Sequence, residues 1–365
     1  MEVSRVEACL ADSRQQYIQD IFDDFRISST HAFLLVDVPE LPSRFDDLVD
    51  ILRNIAQLVR QKKLRCLINE LPVIDTGDLV EYEILRHAHM LYSIVTNSYV
   101  WQDGEFQAPK VLPKQLAMPL TDLSRKVELP PVVCHASLVL ANIIHIDQSK
   151  PLELGNMSLK YSLPGDKSCD WFFLATANVE LKILPVLKTL LECQWSVEQK
   201  HVNEVTSCLC ELANHIDDLT AAFMRMHEGL DANKFYHELR PYLGGWDKIG
   251  MIYEGVSDRP IKMTGGSAAQ CTGVQAIDIF LQVQHNSMED NSRDNEDLVL
   301  AYNKCVEAVA NLRTNHIQIV AKYILIPKSQ KQNGDFRRLD NVGTGGQDLI
   351  PFLKELRNLT RSFLL

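Results

Sequence analysis

The sequence has no uninterrupted apolar run of the roughly eighteen residues that a membrane-spanning helix requires, so no membrane is expected as a partner. Its first residues, Met1-Glu-Val-Ser-Arg-Val-Glu-Ala, carry acids where a secretory leader needs a basic start and an apolar core. Clusters of Lys and Arg are missing too. With a formal charge of −11, a nucleic-acid backbone is an unsuitable partner, and a small ligand or a protein is expected instead. The nine cysteines are odd in number and scattered from Cys9 to Cys305, without the paired spacing of a zinc site or a secreted disulfide framework. Reduced thiols and a cytoplasmic location are therefore expected. The small-residue turn Met263-Thr-Gly-Gly-Ser-Ala-Ala-Gln270 lacks the lysine and the spacing of a P-loop, which excludes that mode of nucleotide binding.

What is present is ordinary globular material, with 46% hydrophobic and 23% charged residues over 365 positions, enough for one large or two medium domains. Apolar residues recur at helical spacing. Leu48, Ile51, Leu52, Ile55 and Leu58 predict an amphipathic helix over 44–63, and a second is predicted over 79–100. His87 and His89 are two apart on that helix and cannot share a face, so they form no metal pair. Prolines from Pro109 to Pro131 mark connecting structure before a helix at 132–144, and a short strand is predicted at 159–163. Further helices are predicted over 172–193, 196–228, 232–243, 269–284, 298–326 and from 348. The fold class is mainly α: a small N-terminal α domain (1–160) with a short β element, packed on a large helical bundle (161–365). The acidic stretch 286–297 reads as a solvated linker, and 328–344, rich in Lys, Gln, Asn and Gly, as a long loop.

Three segments carry chemistry. Val306, Val309, Arg313, His316, Val320 and Tyr323 share one helical face, which sets a histidine and an arginine inside an apolar stripe. Such a histidine could ligate a haem iron, with the arginine one turn above it meeting a propionate. A hydrogen-bonded core histidine satisfies the same pattern. In Phe235-Tyr-His-Glu-Leu-Arg240-Pro-Tyr-Leu-Gly-Gly-Trp246, aromatic rings stand beside an arginine. That combination suits an aromatic molecule bearing a carboxylate, and equally a core aromatic pair next to a surface arginine. The turn at 263–270 opens a helix, where free backbone N–H groups can meet a ligand oxygen, or where the backbone simply packs closely.

Taken in order, 129–142 (Leu-Pro-Pro-Val-Val-Cys-His-Ala-Ser-Leu-Val-Leu-Ala-Asn), Trp171-Phe-Phe-Leu-Ala-Thr-Ala-Asn-Val-Glu180, Phe235 to Trp246, Ile252-Tyr-Glu-Gly-Val-Ser-Asp258, Gly265-Gly-Ser-Ala-Ala-Gln270, His316 to Pro327 and Gly343-Thr-Gly-Gly346 resemble the indoleamine 2,3-dioxygenase family of haem enzymes in tryptophan catabolism. The resemblance spans about residue 30 to the C-terminus. It implies haem b as cofactor with His316 on the iron, and Arg313, Asp278, Phe223 and Gly266 around the macrocycle. It implies a substrate pocket of Phe172, Phe235, Tyr236, Arg240, Ser267, Ala268 and Thr344, with His135, Leu138, Val139 and Thr176 on the far wall. L-Tryptophan or a related indoleamine, O2 and an electron donor are the implied partners of a monomer in the kynurenine pathway.

Two departures from the family pattern stand out. His135 and Thr176 resemble the low-efficiency second paralogue and its invertebrate relatives, where the efficient mammalian enzyme has Tyr and Ser, and Tyr236 stands where that enzyme has Phe. A further helical segment with a Met-Pro-Pro-x-His motif, normal in the family, has no counterpart around residues 285–297. Molluscan myoglobins resemble the same family and share Tyr253-Glu-Gly-Val-Ser-Asp258, so a noncatalytic O2-binding haem protein is the alternative reading, and a haem-poor interaction protein a third.

Overall fold

A computed structural model describes residues 2–267, 270–282, 295–329, 343 and 349–365, with side chains from residue 12 onward. The chain is mainly α. The helices are α1 (Glu2–Asp24), α2 (Asp46–Arg53), α3 (Ile55–Arg60), α4 (Leu64–Glu70), α5 (Tyr82–Trp101), α6 (Lys114–Val127), α7 (Asp170–Glu198), α8 (Val202–Met224), α9 (Ala232–Lys234), α10 (Arg240–Leu243), α11 (Thr272–Gln282), α12 (Glu296–Val320), α13 (Ile326–Ser329) and α14 (Leu349–Arg361). Four short strands complete it: β1 (Val111–Leu112) pairs in parallel with β4 (Ile252–Tyr253), and β2 (Ile143–His145) runs antiparallel to β3 (Met157–Leu159). The strand expected at 159–163 is β3, shifted toward the N-terminus. Among the described residues no helix is long and apolar enough to cross a membrane.

Local chemistry explains several departures from the expected helix bounds. The helix expected over 44–63 breaks at Asn54, whose backbone N–H is shared between the Asp50 and Ile51 carbonyls and whose side chain also donates to Asp50 at 2.8 Å, a local alternative to the regular ladder. The helix expected over 132–144 is only a π turn, Ala136–Leu140, before β2. Two further π turns interrupt longer helical patterns, Phe235–Leu239 between α9 and α10 and Ala321–Leu325 between α12 and α13. Pro241 and Pro327 follow these two turns closely. A proline has no N–H to give and its ring collides with the carbonyl four residues back, so the ladder preceding it widens. α12 is capped by a side chain: Asn295 accepts from the Leu298 N–H at its start, beside Glu296 and Asp297 in its first turn.

α8 packs against both α7 and α12, and α14 against α12; their shared core holds Ile183, Leu212, Ile216, Cys305 and Val309, with Phe22 of α1 among them. A second core runs from Leu34 and Phe45 through α5 to Phe173, Phe235, Trp246 and Tyr323. It therefore occupies both sides of residue 160, where the sequence was divided into a small and a large domain. α5 is the axle of this region, buried without interruption from Leu85 to Trp101, and several of its polar side chains bond neighbouring segments. Asn97 donates to the Tyr242 and Gly244 carbonyls at 3.0 and 3.1 Å, and Trp101 Nε1 donates to Gly244 at 2.9 Å. His87 donates Nδ1–H to the Pro39 carbonyl at 2.6 Å and accepts at Nε2 from the Tyr161 hydroxyl, while His89 donates to Pro130 at 3.2 Å.

The segment after α10 meets the segment before α11 backbone to backbone. Trp246 N–H donates to Met263 and Gly266 N–H to Leu243, and a side-chain carbon on either Gly245 or Gly265 would collide with the opposite main chain. Gly265→Ala should therefore cost about 1–3 kcal/mol of stability, the usual penalty of overpacking a site that cannot relax. Gly155→Ala, where the space is open, serves as the control. Chemical denaturation checks this, and equal midpoints for the two variants would show that the crossing can give way.

Burial holds both α5 imidazoles neutral, pushing His87 and His89 down to about 4. As pH falls from the ordinary histidine value of 6.5 toward 4, the unfolded chain binds protons that the folded chain refuses, so the stability present above that range is lost. Unfolding free energy measured between pH 7 and pH 4.5 should drop with a slope that His89→Gln reduces. An unchanged slope would place the acid sensitivity elsewhere.

Candidate functional site

The three π turns converge on one cavity of about 450 Å³, within the roughly 300–1,000 Å³ usual for ligand sites. Wide turns of this kind are frequent at functional sites because they displace side chains that a regular helix would hold in register. Leu138 and Val139 come from the first, Phe235 from the second, and Tyr323 and Ile324 from the third.

α12 supplies His316, half-buried and opening onto the cavity. Burial pushes its imidazole down to about 4, so it is neutral at pH 7, the form that can give a lone pair to a metal. Neither ring nitrogen has a hydrogen-bond partner among the described residues; its close aromatic neighbour is Phe223 of α8, edge-on with ring centres 5.4 Å apart. One turn earlier, Arg313 is buried, paired with Asp278 of α11 and donating to the Leu356 carbonyl of α14 at 3.2 Å. Both Arg313 and Asp278 stand outside the cavity wall. Burial outweighs their mutual attraction, lifting Asp278 and lowering Arg313 from their ordinary values.

Across the cavity α7 contributes Phe172 and Thr176. Phe172 lies 4.9 Å from Phe235, centre to centre, and the Thr176 hydroxyl is spent on the Phe172 carbonyl at 2.7 Å. Arg240 joins the same wall at 3% exposure, its guanidinium carbon 5.5 Å from the Tyr236 ring centre. Tyr236 itself, expected around an indole, is buried beneath that guanidinium and is not part of the wall. His135, Gly266 and Ser267 are wall residues as expected; Ala268 and Thr344 lie outside the described residues.

Sequence reasoning missed several contributors, Gln270, residues of α14 and Glu180 among them. Gln270 Oε1 accepts from the backbone N–H of His135 at 2.9 Å and of Ser267 at 3.3 Å, joining the glycine turn to the far wall. Leu349, Phe352 and Leu353 of α14 close the cavity, and the amphipathic spacing of that last helix was the signal available for them. Glu180 stands behind His135, its Oε1 2.7 Å from His135 Nε2. No local pattern marks it, because the two are brought together only by packing.

Comparison with known proteins settles the lineage. The indoleamine 2,3-dioxygenase family profile matches residues 21–297 and 286–363. The chain belongs to the indoleamine 2,3-dioxygenase family. It is 33% identical to indoleamine 2,3-dioxygenase 2 of Mus musculus over 93% of this chain and 95% of that one, and 33% identical to the Homo sapiens protein of the same name over 94% and 95%. It is also 31% identical to a myoglobin of Haliotis diversicolor over 92% and 97%. The alignment with the mouse protein runs over 383 positions, more than the 365 residues of this chain, and the profile match breaks at 286–297. The relatives thus carry residues that this chain lacks, and the break falls on the acidic linker. Membership supports haem as the cofactor and an oxidoreductase of dioxygenase type. The donor set fits that group: a neutral imidazole without a competing partner among the described residues, an aromatic edge beside it and largely apolar walls.

If His316 holds the iron, purified His316→Ala mixed with haem should fail to develop the Soret band and recover it on addition of imidazole. His135→Gln should take up haem normally. The reverse pattern would move the ligand to the opposite wall.

Proposed function

We propose that this protein is a haem-dependent dioxygenase that inserts both atoms of O2 across the indole C2–C3 bond of L-tryptophan to give N-formylkynurenine, with low substrate affinity. One observation carries the reading: a single cavity has neutral His316 on one wall and buried Arg240 on another, with Phe172 and Phe235 also lining it. When bound, haem iron would supply the site at which O2 binds and becomes reactive. The rest falls to side chains. His316 offers the lone pair that would hold the iron. Arg313, outside the cavity wall, is bonded to Asp278 and to the Leu356 carbonyl and so ties α12, which carries His316, to α11 and α14.

Arg240 fits the substrate carboxylate because its planar fork matches two oxygens at once. Phe172 and Phe235 offer the indole apolar surface and keep water away, while Gln270 holds the Ser267 turn against the His135 segment. Fixing the amino acid by its carboxylate at one end and its ring at the other is itself a large rate contribution, since it removes the search for a reactive orientation. The low affinity is proposed from His135 and Thr176, which resemble the less efficient paralogue. A second reading, O2 binding without turnover, is favoured by the Haliotis myoglobin relative; the buried Arg240 argues for the enzyme, because an oxygen carrier has no carboxylate to hold.

Arg240→Leu should weaken tryptophan use by about 10- to 150-fold, the worth of one charge-assisted hydrogen bond, at unchanged haem content. A kynurenine assay with tryptophan and tryptamine side by side reads this. Equal turnover of the two by the unaltered protein would show that no carboxylate is recognised, and haem uptake without any product would favour the carrier.

A further inference from the structure

The function proposed above assigns no role to Glu180, yet its contact with His135 is the most deeply buried acid–base pair among the described residues, at 4% and 1% side-chain exposure. Glu180 Oε2 is buried with no hydrogen-bond partner, and Glu180 is absent from the cavity wall that His135 helps to form. The groups around the pair do little to balance a carboxylate. Cys271, before α11, has its thiol lifted by burial, by the Glu180 charge and by a hydrogen bond to Glu180, so it stays neutral and brings no positive charge to the pair. Arg240, the cation of the same cavity, lies in the wall, whereas Glu180 lies behind it. An uncompensated charge in such a place is strongly disfavoured, and a buried carboxylate survives by pairing or by taking a proton. One proton held between Glu180 and His135 Nε2, on either atom, would leave the pair without net charge and the second ring nitrogen, Nδ1, carrying a hydrogen. That nitrogen has no partner among the described residues. It belongs to a ring whose backbone N–H is fixed by Gln270 and whose Nε2 is fixed by Glu180.

We infer that Glu180 is a positioning residue that makes His135 a fixed hydrogen-bond donor, presenting Nδ1–H to an acceptor atom of a small ligand in the cavity: an anion or an oxygen. A neutral, freely oriented histidine could present either a donor or a lone pair; this one is committed to donating. The cavity wall then carries a fixed neutral donor at His135 in addition to the Arg240 cation, which selects small acceptor ligands over purely apolar ones. The inference concerns the pair itself; only its ligand-binding test rests on haem uptake.

Two measurements decide it. In the haem-free protein, nitrogen-15 NMR of the histidine rings should show His135 Nδ1 protonated at neutral pH, and Glu180→Leu should release the ring to a mixture of forms. An unprotonated Nδ1 in the unaltered protein would overturn the inference. In the haem-loaded ferric protein, fluoride, a strong acceptor, should bind about 10- to 150-fold more weakly to His135→Phe and to Glu180→Leu. Equal fluoride affinity in both variants would overturn it as well. If Glu180→Leu fails to fold, His135→Phe and the resonance of the unaltered protein still decide. Failure of the chain to take up haem at all would defeat the proposed function, and the NMR result would stand apart from it.

Discussion

Three of the helical segments that reach the cavity leave their regular hydrogen-bond ladder there, and must do so without stranding polar backbone groups in an apolar interior, while α7, α8 and α14 line it as regular helices. The chain meets this constraint by widening: Ala136–Leu140, Phe235–Leu239 and Ala321–Leu325 each take a π turn. A wide turn keeps its carbonyls and N–H groups paired while shifting side chains by about a residue relative to a regular helix. Phe235, Tyr323 and Val139 thereby face a common space. The cavity is the place where helices expand, rather than a gap left between them.

A second rule runs through the interior: deep groups are neutral or paired. His87, His89 and His316 are all pushed down to about 4 by burial, and the first two anchor to carbonyls of Pro39 and Pro130. Arg313 is answered by Asp278, and His135 by Glu180. His316 differs because its nitrogens have no protein partner among the described residues while its ring faces the cavity. An imidazole left without a hydrogen bond in that position is costly unless a ligand completes it, which is why it reads as a binding residue while His87 and His89 read as structural.

Legibility in the sequence varied with the kind of signal. Helices with a strong apolar stripe, such as α7, α8 and α12, were visible from spacing, because one face of each meets a core. The placement of His316 and Arg313 within such a stripe was visible for the same reason. The breaks were not: Asn54 interrupts a pattern that periodicity reads as continuous, and the stretch at 132–144 is apolar enough for a helix yet turns into β2 to pair with β3. The domain boundary expected at 160 marks a change in pattern along the chain, while the apolar core spans it. Tyr236 and Arg240 share a ridge in a regular helix; the intervening π turn leaves the tyrosine under the guanidinium and only the arginine in the wall.

The sequence by itself determined the mainly α class, the family and several of the residues that gather at the cavity, since each depends on local order: residue type, spacing and the succession of motifs. Only the tertiary structure decided what those residues do to one another. The pairing of His135 with Glu180 across 45 positions, the Gly245 and Gly265 crossing and the closure of the cavity by α14 join segments far apart in the chain. Such contacts are fixed by the mutual fit of buried surfaces, a property of the folded whole that no stretch of sequence contains.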